Sequence, residues 1–186
     1  MNILLAGVGG QGTVLASKLL AQCALDKGEA VHTAETIGMA QRGGSVVSHV
    51  RIGAGAFSPL IPKAAADMLI GFEPSEAVRC LPYLKPNGIV IVSTRGIMPT
   101  TGAYNPADML SYLKTVTDSA VFVDAEDVYR VCGSYRPLNI ALLGAAAATG
   151  KLGFTVSDLE RAMRAQMSAK NAEANLPALA LAEALK

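Results

Sequence analysis

The sequence contains few cysteines, and their spacing does not favour a shared site. Only three occur among the 186 residues, and no two of them form a Cys-x-x-Cys pair: Cys23, Cys80 and Cys132. An iron–sulfur cluster requires about four thiolate ligands, so we expect that this chain alone cannot hold one. The thiols are expected to be buried and inert, as free cysteines commonly are.

Long apolar runs and blocks of like charge are also missing. Gly, Lys or polar residues interrupt each apolar segment before it reaches the length needed to cross a membrane. The net charge is only +1, and there is no basic stripe of the kind that binds nucleic acid. The first residues lack the cationic start and cleavage pattern of a secretory signal. We therefore expect a cytoplasmic protein with neither a membrane nor a nucleic-acid partner.

The proportions of hydrophobic and charged residues favour a folded domain. Hydrophobic residues make up 51% of the chain and charged residues 17%, which argues against disorder, and the length suits one domain over residues 1–186. Short apolar runs predict strands at 3–6, 30–33, 45–52, 67–72, 89–92 and 121–123. Helices are predicted at 13–25, 74–83, 106–114, 138–149 and 177–186.

This alternation predicts an α/β fold, namely a single Rossmann-like domain with an open, mostly parallel sheet flanked by helices and a helical C-terminal third. Three local signals add detail. Pro86-Asn87-Gly88 predicts a turn, and Gly150 is expected to end the helix before it. A capping-box pattern, Ser157-Asp158-Leu159-Glu160, predicts a further helix start.

The most specific motif is a glycine-rich turn between the first strand and the first helix. It reads Gly7-Val8-Gly9-Gly10-Gln11-Gly12-Thr13, in which Gly7, Gly9 and Gly12 have the G-x-G-x-x-G spacing. Glycine permits a tight turn and the close approach of a ligand, and free backbone N–H groups at a helix start favour an anion.

The residues alone do not identify the ligand of this turn. A P-loop requires Lys after Gly12, but Thr13 stands there. A dinucleotide site requires an acid at the end of the second strand, about 20 residues after the motif. Glu35 is near that position but falls just beyond the predicted strand. NAD(P), another phosphate or carboxylate, and simple packing are all compatible with the motif.

A second unusual segment, from Glu35 to Ser45, places an arginine beside two glycines. It contains Gln41-Arg42-Gly43-Gly44, and the planar guanidinium suits a carboxylate or a phosphate. Loops with such residues often carry function, although an arginine that satisfies loop carbonyls would explain the segment equally well.

Taken together, these two motifs resemble a known family. The Gly-x-Gly-Gly-Gln-Gly turn, the segment Gly-Met-Ala-Gln-Arg-Gly-Gly-Ser-Val and a strand ending His49-Val50-Arg51 are similar to the gamma domain of 2-oxoacid:ferredoxin oxidoreductases. The lead-in to Arg42 looks most like the indolepyruvate oxidoreductase beta subunit, although Ile37 stands where those sequences often carry His. Asn139 followed by Leu142-Leu143-Gly144-Ala145 also matches the family's pattern. The resemblance covers nearly the whole chain.

The resemblance implies an accessory subunit. It would have no catalytic residue and no metal ligand of its own, and it would bind no cofactor by itself. A large partner subunit would carry thiamine diphosphate and the iron–sulfur clusters, oxidise indolepyruvate or another aryl pyruvate to an acyl-CoA and pass electrons to ferredoxin. This chain would shape the active site or contact coenzyme A. The candidate binding residues are Gly7, Gly9, Gly10, Gln11, Gly12, Thr13, Glu35, Gln41, Arg42, Gly43, Gly44 and Asn139.

Other polar residues fit structural roles better than catalytic ones. His32 and His49 are isolated in sequence, and the acidic group Asp124, Glu126 and Asp127 is typical of a helix start rather than a metal site.

Arg136, Pro137 and Asn139 would form either an anion pocket or a helix cap, and we favour the cap. Two other functions stay open. One is an NAD(P)-dependent oxidoreductase, although no Tyr-x-x-x-Lys pair is present, and the other is a non-enzymatic anion-binding module.

Overall fold

The fold is organised around its first strand, β1 (Asn2–Val8), which is covered on both faces. Ile3 and Leu5 point into one apolar core, and Leu4 and Ala6 point into a second core on the opposite face. Successive side chains of a strand point to opposite faces, so an uninterrupted apolar run requires cover on both sides. The computed structural model describes residues 1–35, 43–55, 58–99, 102–117 and 119–181.

Six strands of the described chain form one sheet in the order β2-β3-β1-β4-β5-β6. β1 pairs in parallel with β4, β4 with β5 and β5 with β6, whereas β3 runs antiparallel to both β1 and β2. The predicted α/β fold with a mostly parallel sheet is confirmed. The other strands are β2 (Val31–Glu35), β3 (Ser45–Ile52), β4 (Ala66–Gly71), β5 (Leu84–Ser93) and β6 (Ala120–Val123).

Helices cover the two faces of the sheet unequally. The larger core lies against the first, fourth, fifth, sixth and seventh helices, and the smaller core lies beneath the short second and third helices. The fifth helix is apolar on all sides, which accounts for its burial. The described helices are α1 (Thr13–Asp26), α2 (Pro74–Cys80), α3 (Pro106–Val116), α4 (Ala125–Cys132), α5 (Leu138–Ala148), α6 (Val156–Gln166) and α7 (Ala169–Ala180).

Two predicted helix boundaries are wrong. The capping box of α6 uses Thr155 and Asp158 rather than Ser157 and Glu160, because the Thr155 hydroxyl accepts from Asp158 N while the Asp158 carboxylate accepts from Thr155 N. The last helix begins at Ala169, capped by the Ser168 hydroxyl, and continues through Pro177. Proline has no backbone N–H group, so the helix loses one hydrogen bond at Pro177. The helix tolerates this loss near its C-terminal end.

The predicted turn at Pro86-Asn87-Gly88 lies inside β5 instead of before it. Asn87 keeps a left-handed backbone (φ 63°), which asparagine tolerates better than most residues. The strand therefore contains a local irregularity where the sequence predicted a chain reversal. No helix in the described part of the chain is long and apolar enough to span a membrane.

Candidate functional site

The glycine turn lies beside Gly43 and Gly44, the described part of the Arg-Gly-Gly segment. Gly9 N donates to Gly44 O over 2.9 Å, which continues the β1–β3 ladder one step past its last pair, Val8 with Ser45. Gly43 adopts a positive φ of 86°, a conformation that favours glycine. Gln41 and Arg42, which the sequence singled out, lie outside the described residues.

Gln11 holds the turn in shape through both atoms of its side-chain amide. Its Oε1 accepts from Val8 N at 2.7 Å, and its Nε2 donates to Phe72 O at 2.9 Å. Gly7 is packed so closely that a Cβ there would lie 2.8 Å from Gln11 Oε1 and 2.9 Å from Phe72 Cβ. Gln11 and Gly7 thus fix the turn to the carboxyl end of β4.

Backbone donors at the turn stay available for a ligand. Gly10 and Gly12 have positive φ angles of 99° and 80°, and their N–H groups make no hydrogen bond within the described residues. The residue at the N-cap of α1 is Gly12, which has no side chain to cap the helix. An uncapped helix start presents unsatisfied N–H groups and partial positive charge, which favours an anion beside Thr13 and the residues that follow.

A cleft of about 420 Å³ opens beside this turn, and we name it the arginine cleft. Arg95 and Arg136 line it together with Gly9, Gly10 and Gln11 of the turn, and the Arg95 guanidinium stacks 3.8 Å above the centre of the Tyr135 ring. Neither guanidinium forms an ion pair within the residues described. The cleft is lined by Gly9, Gly10, Gln11, Phe72, Arg95, Ile97, Ser134, Tyr135, Arg136 and Leu138.

Sequence reasoning missed Arg95 and underrated Arg136. Arg95 lies two residues after the end of β5, at the edge of the sheet where ligands of open α/β folds bind. Its position just after a predicted parallel strand could have identified Arg95 as a candidate from the sequence. Arg136 was weighed as a possible anion ligand but assigned to a helix cap, and its exposed side chain instead lines the cleft.

A second cavity, of about 640 Å³, adjoins the first and shares Ile97 with it. Its wall includes the buried carboxylate of Glu73 and the Tyr104 hydroxyl, which are hydrogen-bonded to each other. Val8 and Gly43 bring both sequence motifs to the same cavity. A larger groove of about 710 Å³ lies at the opposite edge of the sheet, near Lys85, away from both motifs.

Glu35 is placed differently from the acid of a dinucleotide site. It ends β2 rather than lying beyond it, but antiparallel β3 separates β2 from β1. Glu35 is therefore about 10 Å from β1, two strand spacings instead of one. Its carboxylate accepts from the Ser17 hydroxyl at 2.5 Å. This geometry disfavours the NAD(P) interpretation of Glu35.

Asn139 packs against Gly12 of the glycine turn and does not line the arginine cleft. It is buried, its Oδ1 accepts from Ile140 N at 2.9 Å, and its Nδ2 lies 3.5 Å from Gly12 O. A Cβ on Gly12 would lie 2.5 Å from that Nδ2 atom. Asn139 therefore fixes the position of Gly12.

The remaining candidates have structural surroundings. His49 Nδ1 accepts from Ile61 N at 3.1 Å, and burial lowers the pKa of His49. Burial raises the pKa of the Cys23 thiol to about 12, so it stays protonated and unreactive. Asp124 caps α4 by accepting from Glu126 N at 2.9 Å, as predicted for a helix start.

The arrangement as a whole is suited to binding. Within the described residues, no three His, Cys, Asp or Glu side chains are grouped so that they could hold a metal ion. The arginine cleft offers two guanidinium groups and the N–H group of Gly10, which has no partner in the described part of the chain, and these donors together suit a phosphate-bearing ligand.

Comparison with known proteins agrees with these motifs. A model of the pyruvate ferredoxin/flavodoxin oxidoreductase family matches residues 2–185. The chain belongs to this family. A relative from Archaeoglobus fulgidus, named indolepyruvate oxidoreductase subunit IorB, is 40% identical over 96% of this chain and 92% of that protein. The family resemblance predicted from the two motifs is thereby confirmed.

Other members of the pyruvate ferredoxin/flavodoxin oxidoreductase family are similar over nearly their whole length. The common gamma subunit of the pyruvate and ketoisovalerate oxidoreductases of Pyrococcus furiosus is 30% identical over 91% of this chain and 88% of that protein. The crystal structure of pyruvate oxidoreductase subunit PORC from Thermotoga maritima has a TM-score of 0.73 and 21% identity, covering 98% of this chain and 94% of that one. This likeness shows that the fold is shared.

Proposed function

We propose that this chain is the gamma-type subunit of a cytoplasmic 2-oxoacid:ferredoxin oxidoreductase and is inactive without a larger partner. The observation that carries the proposal is the 40% identity to an indolepyruvate oxidoreductase subunit over 96% of this chain and 92% of the relative. Because the match spans nearly the full length of both proteins, it supports the view that they are the same kind of subunit. A match limited to a shared fragment would not support that view. We treat residues 1–186 as one domain of this kind.

The substrate that this relationship favours is indolepyruvate or another aryl pyruvate. Thiamine diphosphate and iron–sulfur clusters, bound by the partner subunit, would supply the decarboxylation and electron transfer to ferredoxin. The three cysteines here are Cys23 and Cys80, both buried, and half-buried Cys132, and all stand far apart in sequence. They are poorly suited to ligate a cluster together, which supports placing that chemistry on the partner.

The contribution of this chain would be a binding surface at the arginine cleft. The N–H group of Gly10, which has no partner among the described residues, and the guanidinium groups of Arg95 and Arg136 suit the phosphate groups of coenzyme A, the acyl acceptor. The Tyr135 ring, on which the Arg95 guanidinium stacks, would hold that guanidinium in place for the ligand. The chain would orient the acceptor and leave bond making to the partner.

Reconstitution tests the subunit assignment. The chain and its large partner are purified separately, and reduction of ferredoxin is followed with indolepyruvate, phenylpyruvate, pyruvate and 2-oxoisovalerate. We expect activity only when both subunits and coenzyme A are present, with the highest kcat/KM for an aryl pyruvate. Full activity of the partner without this chain would contradict the assignment, whereas a preference for pyruvate would contradict only the substrate.

Charge removal tests the cleft separately. We expect the double variant Arg95→Ala with Arg136→Ala to raise the KM for coenzyme A about tenfold or more, while the KM for the 2-oxoacid changes less than about twofold. Arg130→Ala is the matched control, because Arg130 is exposed on α4 and pairs with Asp127 at the surface. An unchanged KM for coenzyme A in the double variant would exclude the cleft as its binding site.

A further inference from the structure

Glu73 is a buried carboxylate whose neighbours among the described residues are hydrogen-bond donors rather than cationic side chains. It lies two residues after the end of β4 and is 1% exposed. Its Oε2 accepts from the Ser75 hydroxyl at 2.5 Å and from Glu76 N at 3.0 Å, which caps α2. No ion pair reaches Glu73 in the described chain. A buried carboxylate is costly unless its hydrogen bonds are complete, so its partners are held firmly.

The second oxygen of Glu73 holds the segment that follows β5. Its Oε1 accepts from the Tyr104 hydroxyl and, over 3.4 Å, from Ile97 N. Burial and the hydrogen bond to Glu73 raise the pKa of Tyr104, so this hydroxyl stays protonated and remains a donor. One carboxylate therefore fixes both the start of α2 and the chain next to Arg95.

Gly96 shows how tightly this segment is packed. A Cβ there would collide with the Pro106 ring and lie 2.8 Å from Tyr104 Cε1. The backbone between Arg95 and Ile97 is therefore in direct contact with the Tyr104 ring.

The neighbour of Glu73, Phe72, is hydrogen-bonded to the glycine turn of the arginine cleft. Gln11, in the glycine turn, donates to Phe72 O at 2.9 Å, and Phe72 immediately precedes Glu73. Hydrogen bonds to the adjacent residues Phe72 and Glu73 thus link the glycine turn with Ile97, and all but Glu73 line the arginine cleft.

We propose that Glu73 and Tyr104 are positioning residues for the ligand of the arginine cleft. Their hydrogen bond fixes residues 95–97, so that the Arg95 guanidinium rests on the Tyr135 ring and lines the cleft before a ligand arrives. Binding then requires little ordering of a flexible side chain, and prior ordering of this kind increases affinity. This inference rests on the proposed anion binding by the cleft.

The test uses the full-length chain, labelled with ¹⁵N, and inorganic pyrophosphate as the probe. We follow the Arg95 Nε–Hε resonance, which the Tyr135 ring current should shift, and measure the Kd for pyrophosphate by titration. Tyr104→Phe removes only the hydroxyl. We expect it to weaken pyrophosphate binding about three- to tenfold and to move the Arg95 resonance toward its unstructured value. Tyr112→Phe, at a half-exposed tyrosine of α3, is the matched control and should change neither quantity.

Gly96→Ala provides an independent second variant, because it displaces the segment by collision and leaves the Glu73–Tyr104 pair chemically intact. It should change the affinity and the resonance in the same direction as Tyr104→Phe. An unaltered Arg95 resonance and Kd in Tyr104→Phe would overturn the positioning role. If the wild-type chain fails to bind pyrophosphate, the anion-binding function of the cleft is refuted, and the Arg95 resonance alone then decides whether Tyr104 positions that residue.

Discussion

Gly9 and Gly44, 35 positions apart in the sequence, are joined by a backbone hydrogen bond of 2.9 Å from Gly9 N to Gly44 O. The bond exists because β3 is antiparallel to β1, so that the start of β3 adjoins the end of β1. The glycine turn and the Gly43-Gly44 pair therefore lie side by side. A parallel neighbour at this place would have put its amino end at the far edge of the sheet.

Amide exchange should distinguish the N–H groups of the turn. The N–H of Gly9 is bonded to Gly44, whereas the N–H of Gly10 has no partner among the described residues. We expect Gly9 to exchange at least about tenfold more slowly than Gly10 in the native chain, measured by NMR. Equal exchange at the two positions would show that the Gly9–Gly44 bond is absent in solution.

Gln11 should contribute to stability even though the sequence predicted a binding role for it. Gln11→Ala removes two hydrogen bonds and leaves Val8 N and Phe72 O without their partner. We expect the free energy of unfolding to fall by about 1–3 kcal/mol, measured by urea denaturation. Gln22→Ala is the control, because Gln22 makes its bonds on the exposed surface of α1, and it should cost less than about 0.5 kcal/mol. Similar losses in both variants would contradict the role of Gln11.

The parts of the fold that the sequence predicted well are those set by local chemistry. The glycine turn is recognisable because its spacing is imposed by one tight connection between a strand and a helix. The order of strands is not local: nothing in the residues 45–52 indicates that β3 inserts between β1 and β2 in the opposite direction. That insertion moved Glu35 away from the turn.

The site was predicted less completely than the fold. Arg95 comes from a connection more than 80 residues beyond the glycine turn, and only the sheet order brings the two together. Glu73 gave no signal, because a single acid before a helix is typical of an ordinary cap. Its second role, toward Ile97 and Tyr104, depends on contacts between distant segments.

Gly12 and Asn139 should be energetically coupled. Gly12→Ala introduces a side chain at a positive φ of 80° and places its Cβ 2.5 Å from Asn139 Nδ2. We expect a loss of about 1–3 kcal/mol in the free energy of unfolding. Adding Asn139→Ala should recover part of that loss, because it removes the amide that collides. A double-mutant cycle measures this coupling, and strictly additive losses would show that the two side chains do not interact.

Ser48 carries a buried hydroxyl that has no hydrogen-bond partner in the described structure. Burying an unpaired hydroxyl opposes folding, and alanine fills nearly the same space without that group. We therefore expect Ser48→Ala to leave the free energy of unfolding unchanged or to raise it by up to about 1 kcal/mol. A loss above about 1 kcal/mol in urea denaturation would indicate that the hydroxyl has a partner, such as an ordered water.

Asp158 should make the stability of the chain dependent on pH in the acid range. The hydrogen bond from Thr155 N, together with those from the Thr155 hydroxyl, Arg161 and Lys27, holds the pKa of Asp158 well below its usual range. A carboxyl with a lowered pKa in the folded state stabilises it above the unfolded-state pKa of about 4, and this contribution is lost as the pH falls below that value.

Replacing Asp158 by alanine tests this dependence. We expect Asp158→Ala to cost about 1 kcal/mol at pH 7 and progressively less below about pH 4, because there the unfolded wild-type chain gains a proton at Asp158 that the folded chain does not. Asp127→Ala is the control, since Asp127 pairs with Arg130 at the surface of α4; it should cost less than about 0.5 kcal/mol. Urea denaturation between pH 3 and pH 7 measures both. A difference between wild type and Asp158→Ala that stays constant over this range would mean that the capping box of α6 does not depend on the charge of Asp158.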